Sequence, residues 1–332
     1  MIGLIARADQ GGLGAQTWEM ARHVRPSKIL IVDLGPNGRG ATRADRYENL
    51  GAEVFTCLGT PRGKHLEWLL DGVHAVYTAE GPYNDLLPSL AAERGVRLVL
   101  HANPELWAER YRGPTTDVAL PTAWEQHRVH TSTVMPMPVA RDRLPWGHRE
   151  QARTFWHPAA PAMLDRNGTD IVLNALGHVR WAVTVIVSGS GRPEGITQIG
   201  RTTVVWAGER GDYWEGYDDA DVLLLPRRYG GLSLPAQEAL SAGLPVVMLD
   251  TGPYVGLGGV LAVPALSAVD MAMKGGSFPV HDTDPRLLAE KIDQLVDNPQ
   301  LVALASLAAN GTADALSWDA WRRPWRTLLE RP

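Results

Sequence analysis

The sequence predicts an α/β protein made of two doubly wound domains, and three observations lead there. Its 332 residues exceed what a single hydrophobic core usually serves. Short apolar runs alternate with helix-length amphipathic segments, as parallel sheets buried on both faces require. A stretch without period, crowded with Pro136, Pro138, Pro145, Pro158 and Pro161, interrupts the alternation near the middle of the chain and reads as the interdomain connection.

In the first series the strand candidates are 2–6, 28–33, 52–56, 74–78, 96–101 and 117–120, with helical patterns at 15–24, 84–94 and 123–130. The second series reads helix 169–178, strands 181–188 and 202–206, helix 213–217, strand 221–225, helix 233–242 and strand 245–249. Helical patterns at 286–296, 301–309 and 318–329 close the chain. Two Rossmann-like domains facing each other is the resulting expectation.

Composition narrows the function. Apolar residues make up 45% and charged residues 21%, which supports a packed core and excludes a disordered chain. Only Lys28, Lys64, Lys274 and Lys291 are lysine among 32 basic residues, so any anion must be gripped by arginine forks or backbone amides. The net charge of −5 excludes a basic nucleic-acid module. The lone Cys57 forms neither an internal disulfide nor a cysteine zinc cluster, so a cytoplasmic, reducing compartment is expected. The chain runs from Met1 straight into a strand-like pattern, with no charged leader. The longest charge-free stretch, 251–269, is broken by four glycines and two prolines and is no membrane span.

Two segments carry chemistry. Gly11, Gly12, Leu13 and Gly14 lie between the first strand and the first helix, where a backbone without side chains can approach a ligand. The loop is not a dinucleotide fingerprint, which leaves a nicotinamide dehydrogenase poorly supported. In the second segment, Gly230, Gly231, Leu232, Ser233 and Leu234 follow an apolar strand and open a helix. Ser233 suits an N-cap, Pro235 the first turn and Gly243 the stop. The exposed amides would face a phosphate, and Glu238, one turn inside, is able to accept two hydrogen bonds from a ribose diol.

The run Leu223-Leu224-Leu225-Pro226, then Gly230 to Leu240, then Gly243-Leu244-Pro245-Val246-Val247 resembles the donor-site motif of glycosyltransferase family four. Those are retaining enzymes of the GT-B fold that use nucleotide sugars. The Gly11–Gly14 loop, the strand ending in His101, the Ser188-Gly189-Ser190-Gly191 turn, Asp219-Ala220-Asp221-Val222 and the closing Ser317-Trp318-Asp319-Ala320-Trp321 fall in the family's order. The resemblance implies two Rossmann-like domains facing across a cleft. It implies an acceptor domain at 1–148 completed by a returning helix at 314–332, and a donor domain at 149–313. It implies a metal-independent transferase without cofactor, with the nucleotide sugar as co-substrate and partner.

By this resemblance His101 and Glu238 are the catalytic candidates. Donor binding falls to Gly12, Gly14, Gly230, Gly231, Leu232, Ser233, Leu234 and Glu238. Two departures stand out. The family has a second glutamate eight residues before Glu238, where this chain has Gly230, and a phosphate-gripping lysine where Asn167 precedes Gly168. Arg166, Arg227 or Arg228 would supply the missing charge. On the acceptor side stand Gly12, Leu13, Glu80, Arg39 and Arg43. With Arg46, Arg62 and Lys64 those arginines form a local basic rim fit for an anionic acceptor. The alternatives are a transferase acting on hydroxymethylated DNA bases and a non-catalytic nucleotide-sugar binding protein. His127 and His130 lack a third metal ligand and read as surface residues.

Overall fold

The structure, a computed structural model, describes residues 1–9, 11–35, 43–159, 165–189, 191–208, 212 and 214–331. The chain divides into two units, Met1–Pro138 with Met273–Gly276 and Trp318–Pro332, and Val139–Ala272 with Ser277–Ser317.

The first unit is built from β1 (Ile2–Arg7), α1 (Gly12–Val24), β2 (Lys28–Asp33), β3 (Glu53–Leu58), α2 (Gly63–Leu70), β4 (Ala75–Ala79), α3 (Leu87–Glu93), β5 (Arg97–His101), β6 (Thr116–Leu120) and β7 (Ser132–Val134). Its seven strands form one parallel sheet in the order β3-β2-β1-β4-β5-β6-β7. The central strands are buried along almost their whole length, as their unbroken apolar runs demanded. Gly14 is fixed by space, because a Cβ there would stand 1.8 Å from the Asp9 carbonyl oxygen.

The second unit carries β8 (Thr154–Pro158), α4 (Thr169–Leu176), β9 (Thr184–Ser188), β10 (Gly195–Ile199), β11 (Thr202–Ala207), β12 (Val222–Leu224), α5 (Leu234–Ser241), β13 (Val246–Leu249) and β14 (Val260–Val263). The sheet order is β10-β11-β9-β8-β12-β13-β14, parallel except for the β10–β11 pair. A two-stranded sheet of β15 (Ser267–Met273) and β16 (Gly276–Asp282) follows, then α6 (Pro285–Asp297) and α7 (Pro299–Ala315). The last helix, α8 (Trp318–Glu330), belongs to the first unit and buries Trp318, Trp325, Leu328 and Leu329.

Several expectations are corrected. The pattern at 123–130 yields only a 3-10 turn, Gln126–Arg128, because Glu125 adopts a left-handed φ of 52° that no α-helix continues through. No helix forms at 214–217, a run of turns. The proline-rich stretch hides β8, a central strand with Phe155, Trp156 and His157 buried, since Pro158 stands at its last position. Among the described residues no helix is long and apolar enough to cross a membrane.

Candidate active site

Open parallel sheets bind ligands where the strand order reverses, at the carboxyl ends of the strands. In the first unit that point lies between β1 and β4. A cavity of about 410 Å³ opens there, lined by Arg7, Leu13, Glu80, Asp85, Arg110, Tyr111 and Lys274 among others. Arg110 and Lys274 lie over the Tyr111 ring, 5.1 and 4.7 Å from its centroid. Arg110 also donates to Asp85 at 3.2 Å.

The β4 edge of this cavity is held in an unusual backbone. Glu80 and Tyr83 both take left-handed conformations, at φ 62° and 59°, which cost non-glycine residues energy and persist only when neighbours impose them. The Glu80 N–H donates to the His101 carbonyl at 2.9 Å, and Thr78 Oγ1 donates to the Gly81 carbonyl at 2.6 Å. Burial pushes the Tyr83 phenol well up, with Arg7 opposing it.

The glycine loop is braced from within the first unit. Asp9 pairs with Arg7 and accepts the Gly11 N–H at 2.9 Å, so the protein's own carboxylate sits at the start of α1. Gly14 serves the Asp9 carbonyl's approach, and Gly12 is the exposed first residue of the helix.

His101, expected to line the sugar pocket, stands buried in the first unit. It is 2% exposed, and its Nδ1 accepts from Gln16 Nε2 at 2.9 Å and from the Tyr77 hydroxyl at 3.0 Å. Because Gln16 Nε2 has only protons to offer, the ring is the Nε2–H tautomer. Trp325 packs edge-on at 4.9 Å, and burial holds the imidazole down at about 3. The reason is α8, whose Trp325 covers the histidine.

In the second unit the order reverses between β8 and β12. Arg166 to Gly168 follow β8 and Pro226 to Gly230 follow β12, and the two loops touch. Gly168 has φ 72°, and a Cβ there would come within 2.4 Å of the Pro226 carbonyl oxygen. Arg228 N donates to the Arg166 carbonyl at 2.9 Å. Gly230, at φ 99°, turns the chain toward α5.

The three arginines differ in what they offer. Arg227 is 7% exposed and bonds the Leu232 carbonyl at 2.5 Å, bracing its own loop. Arg228 is held by Asp170 at 2.8 Å and Asp282 at 3.5 Å. Arg166 is half-buried, its guanidinium 4.9 Å over the Tyr229 ring. Asn167 is buried and donates to the Pro158 carbonyl at 2.7 Å, which gives it a structural task. His157, fully buried, bonds the Leu224 carbonyl and Thr169 Oγ1, both at 2.9 Å, and burial holds it down at about 4.

Glu238 lies on α5, 7% exposed, and one oxygen accepts the Tyr217 hydroxyl at 2.5 Å. At the start of α5 the Ser233 side chain makes no cap. Its amide donates instead to the Tyr254 hydroxyl at 2.7 Å. Buried Gly231 and half-buried Leu232 complete that loop, and Leu234 begins the helix.

The expected sites are thus partly gathered. Leu13 and Glu80 share the first unit's cavity. Of the basic rim, Arg43 pairs with Asp45 at 3.7 Å and Arg46 lies over Trp18 with Arg22, while Arg62 and Lys64 are exposed. Arg39, Ser190 and Tyr213 lie outside the described residues. Sequence reasoning missed Arg7, Asp85, Arg110, Tyr111, Lys274, Tyr217 and Tyr254. Scarcity alone marked Lys274, and the strand-edge position after 245–249 marked Tyr254. Among the described residues no group of three or more His, Cys, Asp or Glu side chains is placed to hold a metal.

Residues 160–298 match the family model Glycosyl transferases group 1. Solved structures resemble the chain end to end. Anabaena HepE, solved in complex with UDP, is 13% identical with a TM-score of 0.67 over 99% of both chains. Sucrose-phosphate synthase from Thermosynechococcus elongatus is 13% identical with a TM-score of 0.70, covering 98% of this chain and 97% of that one. WaaG, a glycosyltransferase involved in lipopolysaccharide biosynthesis, is 15% identical with a TM-score of 0.60 over 100% of both. At such identities the likeness speaks for the fold, which is GT-B. No curated protein matches the sequence. Fold and family model together define the chain as a glycosyltransferase.

Proposed function

We propose that the protein transfers a sugar from a nucleoside-diphosphate donor to an acceptor hydroxyl, with retention and without a metal. The donor half is the second unit, the acceptor half the first. Glu238 carries this reading: a nearly buried carboxylate, oriented by Tyr217, one turn inside the helix that opens from the 230–233 loop. A charged acid so placed suits a ribose diol, which supplies two protons to one carboxylate. That HepE was solved with UDP and with UDP-glucose supports a uridine nucleotide.

In the reaction the bond from the anomeric carbon to the distal phosphate breaks, and its electron pair goes to that phosphate. The acceptor oxygen bonds the anomeric carbon, and the acceptor's proton passes in net to the phosphate. The positive end of α5, the loop amides and Arg166 stabilise the departing charge, as fixed dipoles do in a site shielded from water. The acceptor occupies the first unit's cavity, its hydroxyl near Glu80 and any anionic group near Lys274 and Arg110. The single, buried Cys57 suits a reducing cytoplasm.

A thermal-shift and calorimetric panel of nucleoside diphosphates and their sugars, on wild type and Glu238→Ala, tests this. Uridine diphosphate should stabilise the wild type, and Glu238→Ala should bind at least about tenfold more weakly, a charged hydrogen-bond pair being lost. The donor assignment is wrong if no nucleotide stabilises the wild type. Stabilisation without transfer to any acceptor would make the protein a binding module.

A further inference from the structure

The loop after β13 sends Tyr254 back under the start of α5. Its hydroxyl oxygen accepts the Ser233 N–H at 2.7 Å and Gln237 Nε2 at 3.3 Å, and among the described residues it donates to none. Ser233 also carries a buried hydroxyl: its Oγ, on a residue 1% exposed, has no partner among the described residues. Two donors meeting on one oxygen at a helix N-terminus, with an unpartnered hydroxyl on the same residue as one of them, suit an anion, and a neutral phenol fills the place here.

We propose that the Tyr254 hydroxyl holds the place of a donor phosphate oxygen, and that Tyr254 must leave this position for the nucleoside diphosphate to bind. The inference rests on the donor reading above and adds a specific subsite, Ser233 N–H, Ser233 Oγ and Gln237, together with the side chain that closes it.

Three further observations agree. The influences acting on the Tyr254 phenol run in two directions: burial, the largest, lifts it to about 12, while the Ser233 amide, Arg227 and Gln237 all pull it down. Those three are the groups that favour negative charge at that point. The crevice beside Tyr254, lined by Arg227, Gly230 and Thr251, holds only about 10 Å³, room for one water molecule and too little for a phosphate. The positions flanking Tyr254 are also uncrowded. Gly252 and Gly256 flank Tyr254, and a Cβ added at either would meet nothing within 4 Å.

The test is the affinity of UDP for wild type and Tyr254→Phe by calorimetry, with hydrogen exchange of residues 251–256 in the wild type. Removing the hydroxyl leaves the Ser233 amide unsatisfied in the free protein, so Tyr254→Phe should melt lower alone yet bind UDP about two- to tenfold more tightly, the worth of one hydrogen bond. Exchange at 251–256 should rise when UDP binds to the wild type, because Tyr254 has been displaced. Unchanged or weaker UDP binding by Tyr254→Phe overturns the proposal, and so does slower exchange of the segment in the UDP complex. Should wild type bind no nucleoside diphosphate, the donor reading itself falls. A wild type that binds UDP beside a Tyr254→Phe that gains nothing removes the gate alone.

Discussion

The Tyr217 hydroxyl donates to Glu238 Oε2 at 2.5 Å, joining a turn after β11 to the helix that carries the acid. Tyr217 is itself fixed edge-on against Trp156 at 4.5 Å, and Trp156 Nε1 donates to Ser188 Oγ at 2.7 Å. The carboxylate's direction is thereby tied to β8 and β9. Tyr217→Phe keeps the ring packing and removes one charge-assisted hydrogen bond from a buried acid. It should cost about 1.5–3 kcal/mol in urea unfolding and weaken UDP binding severalfold. A stability change below 0.5 kcal/mol in that experiment would mean the bond does not hold Glu238.

Gly14 and Gly63 make a matched pair. An added Cβ at Gly14 would overlap the Asp9 carbonyl oxygen at 1.8 Å, and backbone cannot yield as a flexible side chain can. Gly63, the first residue of α2, has nothing within 4 Å. Gly14→Ala should therefore lose about 2 kcal/mol or more. Gly63→Ala should be neutral or gain up to about 1 kcal/mol by restricting the unfolded chain. Equal melting temperatures for the two variants would refute the close approach.

Much of the fold was legible because apolar runs report two-sided burial directly: β2 matches its expected span, 28–33, residue for residue. The failures have physical causes. β8 was masked by Pro158, which a strand tolerates at its end, and β15 and β16 bury only Phe278 between them, so no apolar run announced them. The site was half legible. Glu238 and its loop follow from helix-start chemistry written in consecutive residues. Tyr217, Tyr254 and Lys274 reach their places from distant loops, and His101 is buried by Trp325, 224 positions later in the chain. Sequence spacing carries no information on such encounters.

Two buried neutral histidines predict acid sensitivity. Burial holds His101 at about 3 and His157 at about 4, whereas in the unfolded chain both titrate near 6.5. Between those values the unfolded state binds more protons than the folded one, so stability is present above pH 6.5 and is lost as pH falls toward 4. Each histidine should cost about 2 kcal/mol at pH 5 relative to pH 7. Urea unfolding at both pH values measures this, and His157→Asn should shrink the difference by about that amount. An unaltered difference would show that His157 is not held neutral.

Lys274 separates acceptor from donor. Its ammonium lies 4.7 Å over the Tyr111 ring in the cavity of the first unit and makes no ion pair among the described residues, whereas Arg110 in the same cavity has Asp85. An acceptor carrying a carboxylate or phosphate would find there a cation with no ion pair among the described residues, and a charge contact at a partly exposed site is worth about 0.5–1 kcal/mol. Lys274→Ala should raise the acceptor KM about two- to fivefold for an anionic acceptor, less at high salt, since screening weakens exposed charge pairs. UDP affinity, which depends on the other unit, should stay unchanged. A variant that loses UDP binding and leaves the acceptor KM alone would reverse the assignment of the two halves.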